Sequence, residues 1–198
     1  NKIAFDIKNF KFFNNKFSNL SGLFDINNSE IKGNLIADKL NLNFKMDQTD
    51  FIRIEIKDST IPDIESINSS QSSSETSLNS RLIVKNSSFG KLKVKDLDVY
   101  LLNNKNNFTA NNLKLSSNLI SIKPLKESSV AYFAIDKTKP LYKIRGNFLI
   151  KDSSKIPYLK DFTDFSYFNG SLNLQWKELS TLSHIEGESN FILKDLVI

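Results

Sequence analysis

Gly90-Lys91-Leu92-Lys93-Val94-Lys95-Asp96-Leu97-Asp98-Val99 is the stretch on which the fold turns. Apolar and polar residues alternate with a period of two, the pattern of a β-strand with one dry and one wet face. The alternation then changes parity. Leu92 and Val94 occupy even positions, whereas Leu97, Val99 and Leu101 occupy odd ones. In a regular strand the second set would turn to the opposite face, so one extra residue has to be absorbed. A β-bulge at the Lys95-Asp96 step absorbs it and bends the strand; a tight turn at the aspartate is the alternative. The phrase recurs as Gly33-Asn34-Leu35-Ile36-Ala37-Asp38-Lys39-Leu40-Asn41-Leu42 and as Gly187-Glu188-Ser189-Asn190-Phe191-Ile192-Leu193-Lys194-Asp195-Leu196. A truncated copy is Asn111-Asn112-Leu113-Lys114-Leu115, and the first half alone returns from Gly146 to Asp152 and from Gly170 to Trp176. A repeated strand phrase without a chemical constellation inside it points to an extended β-surface.

Around this phrase the chain reads as strands at roughly 3–13, 20–27, 30–45, 50–57, 80–86, 90–102, 106–116, 118–123, 129–136, 141–151, 165–176 and 184–197. Polar turns such as Asn103-Asn104-Lys105-Asn106 join many of them, which favours an antiparallel meander. The fold class expected is therefore all-β: an elongated, twisted antiparallel sheet that the recurring bulges curl into an open hydrophobic groove. Two segments break the pattern. Ser66 to Ser80 carries eight serines and little to bury, and reads as a flexible loop inserted in one segment spanning residues 1–198. Lys155 to Phe162 reads as one short helix, with Asp152, Ser153 or Ser154 as cap, Pro157 in the first turn, and Ile156, Leu159 and Phe162 on one side.

Composition narrows the function classes. The 198 residues include 27 basic and 22 acidic side chains, a net charge of +5. The charges interleave, as in Arg53, Glu55 and Lys57, and fit a solvated sheet face; no nucleic-acid-binding pattern accompanies them. With no cysteine, disulfides, thiolate metal sites and a cysteine nucleophile are excluded. No apolar run approaches the ~18 residues of a membrane span. The chain opens at Asn1 without a signal or anchor and is expected to be a segment of a longer protein.

The single histidine, His184, has no second ligand of its type and no nucleophile-elbow pattern beside it. The pairs Asp161/Asp164 and Asp96/Asp98 lie outside any EF-hand-like loop, and no glycine-rich phosphate loop is present. The cluster Phe162, Phe165, Tyr167 and Phe168 reads as core filling, with base stacking or a ligand cleft as the alternative. No enzyme, cofactor, metal site or nucleic-acid partner is expected.

From about Arg81 to Ile198 the order of motifs resembles the AsmA-like superfamily, and within it the YhdP-type proteins. The resemblance runs through Lys91 to Val99, Asn111-Asn112-Leu113-Lys114-Leu115, Ile144-Arg145-Gly146-Asn147-Phe148 and the segment with Ile156 and Leu159. It continues through Phe168-Asn169-Gly170-Ser171-Leu172-Asn173-Leu174-Gln175-Trp176 to Leu193-Lys194-Asp195-Leu196-Val197-Ile198. Residues 21–44 look like a further copy. The chain departs from the family at Leu196, where a glycine is frequent, and at Lys177, where a proline is. The resemblance implies a bridge-like lipid transport protein of the Gram-negative envelope, anchored in the inner membrane and crossing the periplasm. It would carry phospholipid between inner and outer membrane, its acyl chains in the groove. The residues expected to line that groove are Ile52, Ile54, Ile56, Leu92, Val94, Leu97, Val99, Leu113, Leu115, Ile144, Phe148, Leu172, Leu174 and Trp176. The rival readings are a TamB-like role in outer-membrane protein assembly, and a surface or adhesin module whose apolar face is a closed dry core.

Overall fold

Wherever apolar and polar residues alternate, the computed structural model forms strand. It describes residues 1–12, 15–61, 77–126, 129–139, 141–155, 165–177 and 185–195. The strands are β1 (Lys2–Phe12), β2 (Asn15–Ile26), β3 (Glu30–Ala37), β4 (Leu40–Asp47), β5 (Phe51–Lys57), β6 (Thr60–Ile61) and β7 (Leu78–Phe89). They continue as β8 (Leu92–Asn103), β9 (Asn107–Ser117), β10 (Ile120–Lys123), β11 (Tyr132–Asp136), β12 (Leu141–Lys151), β13 (Tyr167–Trp176) and β14 (Glu186–Lys194). All fourteen belong to one sheet, so the protein is all-β. Its order is β1-β2-β3-β4-β5-β7-β8-β9-β10-β12-β13-β14, with β6 beside β7 and β11 between β9 and β12, which makes twelve ranks.

Neighbouring ranks are antiparallel with one exception, which corrects the expectation of a purely antiparallel sheet. β5 and β7 run parallel, Phe51 beside Asn79 and Lys57 beside Lys85, and β6 continues the parallel pairing beside Ser88 and Phe89. Parallel neighbours need a crossover of about a dozen residues or more. Residues 62–77 make that connection between β6 and β7. Of the stretch 66–80, residues 66–76 lie outside the described residues. Leu78, Asn79 and Ser80 open β7, and Ser80 is buried, so the expected loop ends earlier than Ser80. The expected helix over 155–162 falls almost wholly outside the described residues; Ser153–Lys155 is a single 3₁₀ turn.

The parity changes have two structural causes. At Asp96 the bulge is present: the register of β8 against β9 shifts between Val94 and Asp96, and Val94 packs with Ile56 and Val84. Leu92 and Leu97 pack against that same cluster, so both parity sets of the phrase face one way. At Asp38 the alternative holds. Asp38 and Lys39 form a two-residue turn that pairs Ala37 with Leu40, and such a hairpin changes parity by itself.

Further bends lie where Asn or Asp adopts the left-handed conformation that these side chains tolerate better than most. Asn9, Asp58, Asn86, Asn112, Asp152 and Asp195 all have positive φ. Asp58 stands opposite Asn86, and Asn86 opposite Lys95, so the irregular residues of β5/β6, β7 and β8 form a transverse line. Three of them share a phrase: Lys57-Asp58-Ser59, Lys85-Asn86-Ser87 and Lys151-Asp152-Ser153. Each serine is buried and uses its hydroxyl on backbone groups that the bend frees. Ser59 Oγ donates to Lys57 O (2.8 Å) and accepts from Asn41 N (2.9 Å). Ser87 Oγ donates to Lys85 O (2.8 Å) and accepts from Ser59 N (3.1 Å). Ser153 Oγ accepts from Phe165 N at 2.8 Å.

Strands in substantial contact are hydrogen-bonded neighbours. The accessible surface is 13539 Å² for 22.6 kDa, against ~9,500 Å² for a compact monomer of that mass. Both observations describe strands that meet side by side and leave much surface accessible. The tightest packing lies mid-sheet, where Ile56, Val84 and Val94 gather Leu40, Leu42, Ile54, Ile61, Leu82, Phe89 and others.

Candidate functional site: a continuous apolar face

Residues opposite one another in a sheet project their side chains to the same side. Following the register from one edge to the other gives Phe5, Gly22, Leu35, Leu42, Ile56, Val84, Leu97, Leu115, Ile122, Phe148, Gly170 and Phe191. That line crosses all twelve ranks without a polar side chain. Parallel lines repeat the composition. Ile3, Phe24, Gly33, Phe44, Ile54, Leu82 and Val99 form one, and Phe133, Ile144 and Leu174 stand together at the far side.

All fourteen residues expected to line a groove fall on this face. Ile52, Ile54 and Ile56 come from β5, Leu97 and Val99 from β8, and Ile144 and Phe148 from β12. Leu172, Leu174 and Trp176 of β13 stand beside Gly146, Ile144 and Tyr142. Leu92 and Val94 join them through the bulge before Asp96. Leu115 stands opposite Leu97 and Ile122, and Leu113, two residues before it and past the irregularity at Asn112, shares its side.

In the first four strands the face is aromatic, a feature absent from the residues expected to line the groove. Phe5 and Phe24 stack with centroids 5.6 Å apart, and Phe24 and Phe44 meet at 5.4 Å. The rings reach each other because Gly33 lies between Phe24 and Phe44 in the register. A Cβ at Gly33 would come within 2.1 Å of the Phe44 ring. The signal was available in the alternation of Phe24, Gly33 and Phe44 once the pairing is known. At the other end Tyr142 stacks on Trp176 at 5.7 Å and Phe168 on Phe191 at 5.5 Å. Such rings supply large apolar contact area.

The opposite face is polar and satisfies its charges locally. Arg81 grips Asp98 with two hydrogen bonds, Nε to Oδ1 at 2.8 Å and Nη2 to Oδ2 at 2.6 Å, and its guanidinium lies 4.9 Å from the Tyr100 ring centre. That grip holds the Asp98 carboxyl below its ordinary range and raises Arg81. Glu30 bridges Lys32 and Lys45, and hydrogen bonds from these two lysines bring its pKa down to about 2. A depression of about 420 Å³ on this face is lined by residues of both charges, among them Asp25, Lys32, Arg53 and Glu55.

Nothing among the described residues resembles a reaction centre. No group of three His, Cys, Asp or Glu side chains is placed to hold a metal ion. His184, Asp161, Phe162 and Asp164 lie outside the described residues; Phe165 is buried and packs against Phe168, as core filling requires. No described helix is long and apolar enough to cross a membrane. The chemistry that this site offers is hydrophobic contact along a wide surface. No family model, curated protein or solved structure matches the chain.

Proposed function

We propose that this chain is a segment of an AsmA-like, bridge-like lipid carrier, whose sheet curls around its apolar side and passes phospholipid acyl chains along it. The observation that carries this reading is the register line from Phe5 to Phe191, apolar at every rank, in a structure whose described strands all belong to one sheet. A closed-core sandwich would need a second sheet, which argues against the adhesin reading. Acyl chains suit the surface energetically, since each buried CH₂ contributes ~0.8 kcal/mol and two chains of a phospholipid contribute many. The polar face with its paired charges would meet water. On this reading the protein works in the periplasm, held at the inner membrane by other parts of a longer chain, and serves the traffic between the two membranes without catalysis or cofactor.

Mass spectrometry of lipid co-purified with the chain tests the reading, with Leu97→Asp, Ile144→Asp and Leu172→Asp as variants. Each side chain is only partly covered, so the new carboxylate keeps contact with solvent and the sheet folds. Folded variants that have lost bound lipid support the carrier, while Lys93→Asp and Asn173→Asp on the other face retain it. Unfolding at all three sites would reveal a sealed core, and undiminished lipid in folded variants would remove these residues from the path.

A further inference from the structure

The two outer edges of the sheet match one another in the way that two strands inside it already do. At the internal parallel junction, β5/β6 meets β7 with the left-handed Asp58 level with the left-handed Asn86, each preceded by a lysine. The outermost of the described strands repeat both halves of this arrangement. β14 ends in Lys194-Asp195 with Asp195 at φ 54, and β1 carries Lys8-Asn9 with Asn9 at φ 56. Along the sheet β14 points the same way as β5 and β7, and so does β1, because the antiparallel steps between them are even in number. Laying Asp195 level with Asn9 sets Leu193 beside Ile7, Phe191 beside Phe5 and Ser189 beside Ile3. On the polar side it sets Glu188 beside Lys2. Lys194 then stands beside Lys8, as Lys57 stands beside Lys85 within the sheet.

The backbone groups agree with this register. Asn1 O accepts from Ile26 N, so odd residues of β1 bond to β2 and the even ones (Lys2, Ala4, Asp6) aim outward. On β14 Lys194 O accepts from Ser166 N, so the outward groups belong to Ser189, Phe191 and Leu193. Parallel pairing requires one residue to bond to those before and after its opposite number, as Ile61 O does with Gly90 N across the internal junction from Phe89. Phe191 between Ala4 and Asp6 meets the same requirement. Among the described large apolar residues in the strands of this face, the ones left most exposed are Ile3 (51 %), Ile7 (44 %) and Phe191 (49 %), and all three lie on these two edges.

We propose that the β14 edge receives the β1 edge of a second copy of this chain in parallel, with Phe191 beside Phe5, extending the apolar face from copy to copy. The contact is head-to-tail, so it leaves both ends of any dimer open and propagates. It stands independently of what occupies the apolar face and requires only that these two edges, unpaired among the described residues, stay unpaired.

Because the chain has no cysteine, directed cross-linking is clean. Ala4→Cys with Asn190→Cys places two thiols opposite each other at the disulfide-forming distance of adjacent strands, on the polar face. Oxidation is expected to give a ladder of covalent multimers. Lys8→Cys with Asn190→Cys, four residues out of register and ~13 Å away along the strand, should give none. Ala4→Pro removes only an outward N–H and should return the protein to a monomer by light scattering with its melting temperature unchanged. Should that variant fail to fold, the charge exchange decides: Lys2→Glu weakens assembly several-fold and Lys2→Glu with Glu188→Lys restores it. A monomer at every concentration would overturn the proposal. So would a cross-linked dimer from Ala4→Cys alone, or equal cross-linking in both registers.

Discussion

Shortening the connection between β6 and β7 tests the parallel junction directly. The chain leaves Ile61, level with Phe89, and must re-enter at Leu78, one position before the residue level with Phe51. The return therefore runs the length of β5 and β6. Allowing for the bulge residue at Asp58, it covers ~33 Å at 3.3 Å per residue. The sixteen residues 62–77 span at most ~60 Å when extended, which leaves slack. Deleting residues 70–73 keeps a reach of ~45 Å and changes loop-closure entropy by only a few tenths of a kcal/mol, so stability should be retained. Deleting residues 64–73 cuts the reach to ~25 Å, too short for the junction to close. That variant should lose the pairing of Ile52 to Lys57 with Ser80 to Lys85, along with the mid-sheet cluster of Ile56, Val84 and Val94. Urea unfolding followed by circular dichroism would read a lower midpoint and a smaller slope for the longer deletion alone. If both deletions unfold like the parent, β5 and β7 are not parallel neighbours in solution.

Ser87→Ala should cost ~1–3 kcal/mol, because it leaves the buried Ser59 N–H without its acceptor; the urea midpoint reads it, and an unchanged midpoint would contradict the role given to the hydroxyl. Val84→Asp, at a residue only 1 % exposed, should cost several kcal/mol and abolish cooperative melting, in contrast to Leu172→Asp. Acid should weaken the polar face in a defined window. Glu30 has its pKa lowered to about 2 in the folded chain, so its contribution is present above the unfolded value of 4.5 and is lost as pH falls towards 2. Asp98, lowered by Arg81, shifts in the same direction. The urea midpoints of Glu30→Gln and Asp98→Asn should therefore lie below the parent at pH 6 and converge on it in strong acid; a constant gap would contradict the sign.

How much of this was legible from the sequence depended on what alternation encodes. Leu92 to Val99 announced a strand with a dry face and an extra residue, and the bulge before Asp96 is there. The same parity signature at Leu35 to Leu40 proved to be a hairpin. A two-residue turn and a single bulge shift parity identically, and only the partner of Ala37 tells them apart. Strand direction left no trace in the pattern, since Ile52, Ile54 and Ile56 alternate alike beside a parallel or an antiparallel neighbour. The length of the serine-rich stretch was the one available clue. The fourteen residues assigned to the apolar face were recoverable because side-chain parity is local. The stacking of Phe5, Phe24 and Phe44 depends on register between strands, which a single sequence does not display.

A sheet whose described strands make substantial contact only with hydrogen-bonded neighbours is, energetically, close to a one-dimensional chain of couplings. Its stability is then approximately a sum over the eleven junctions between its twelve described ranks. Opening should begin at the outermost ranks, where one junction holds a strand, and travel inward. Amide exchange would then fall in steps from β1 and β14 towards β7 and β8, whose mutual contact is the most extensive in the molecule. Removing a terminal strand should subtract a single increment and leave the remainder folded. Adding strands at either end should lengthen the protein without requiring any other part of it to be redesigned.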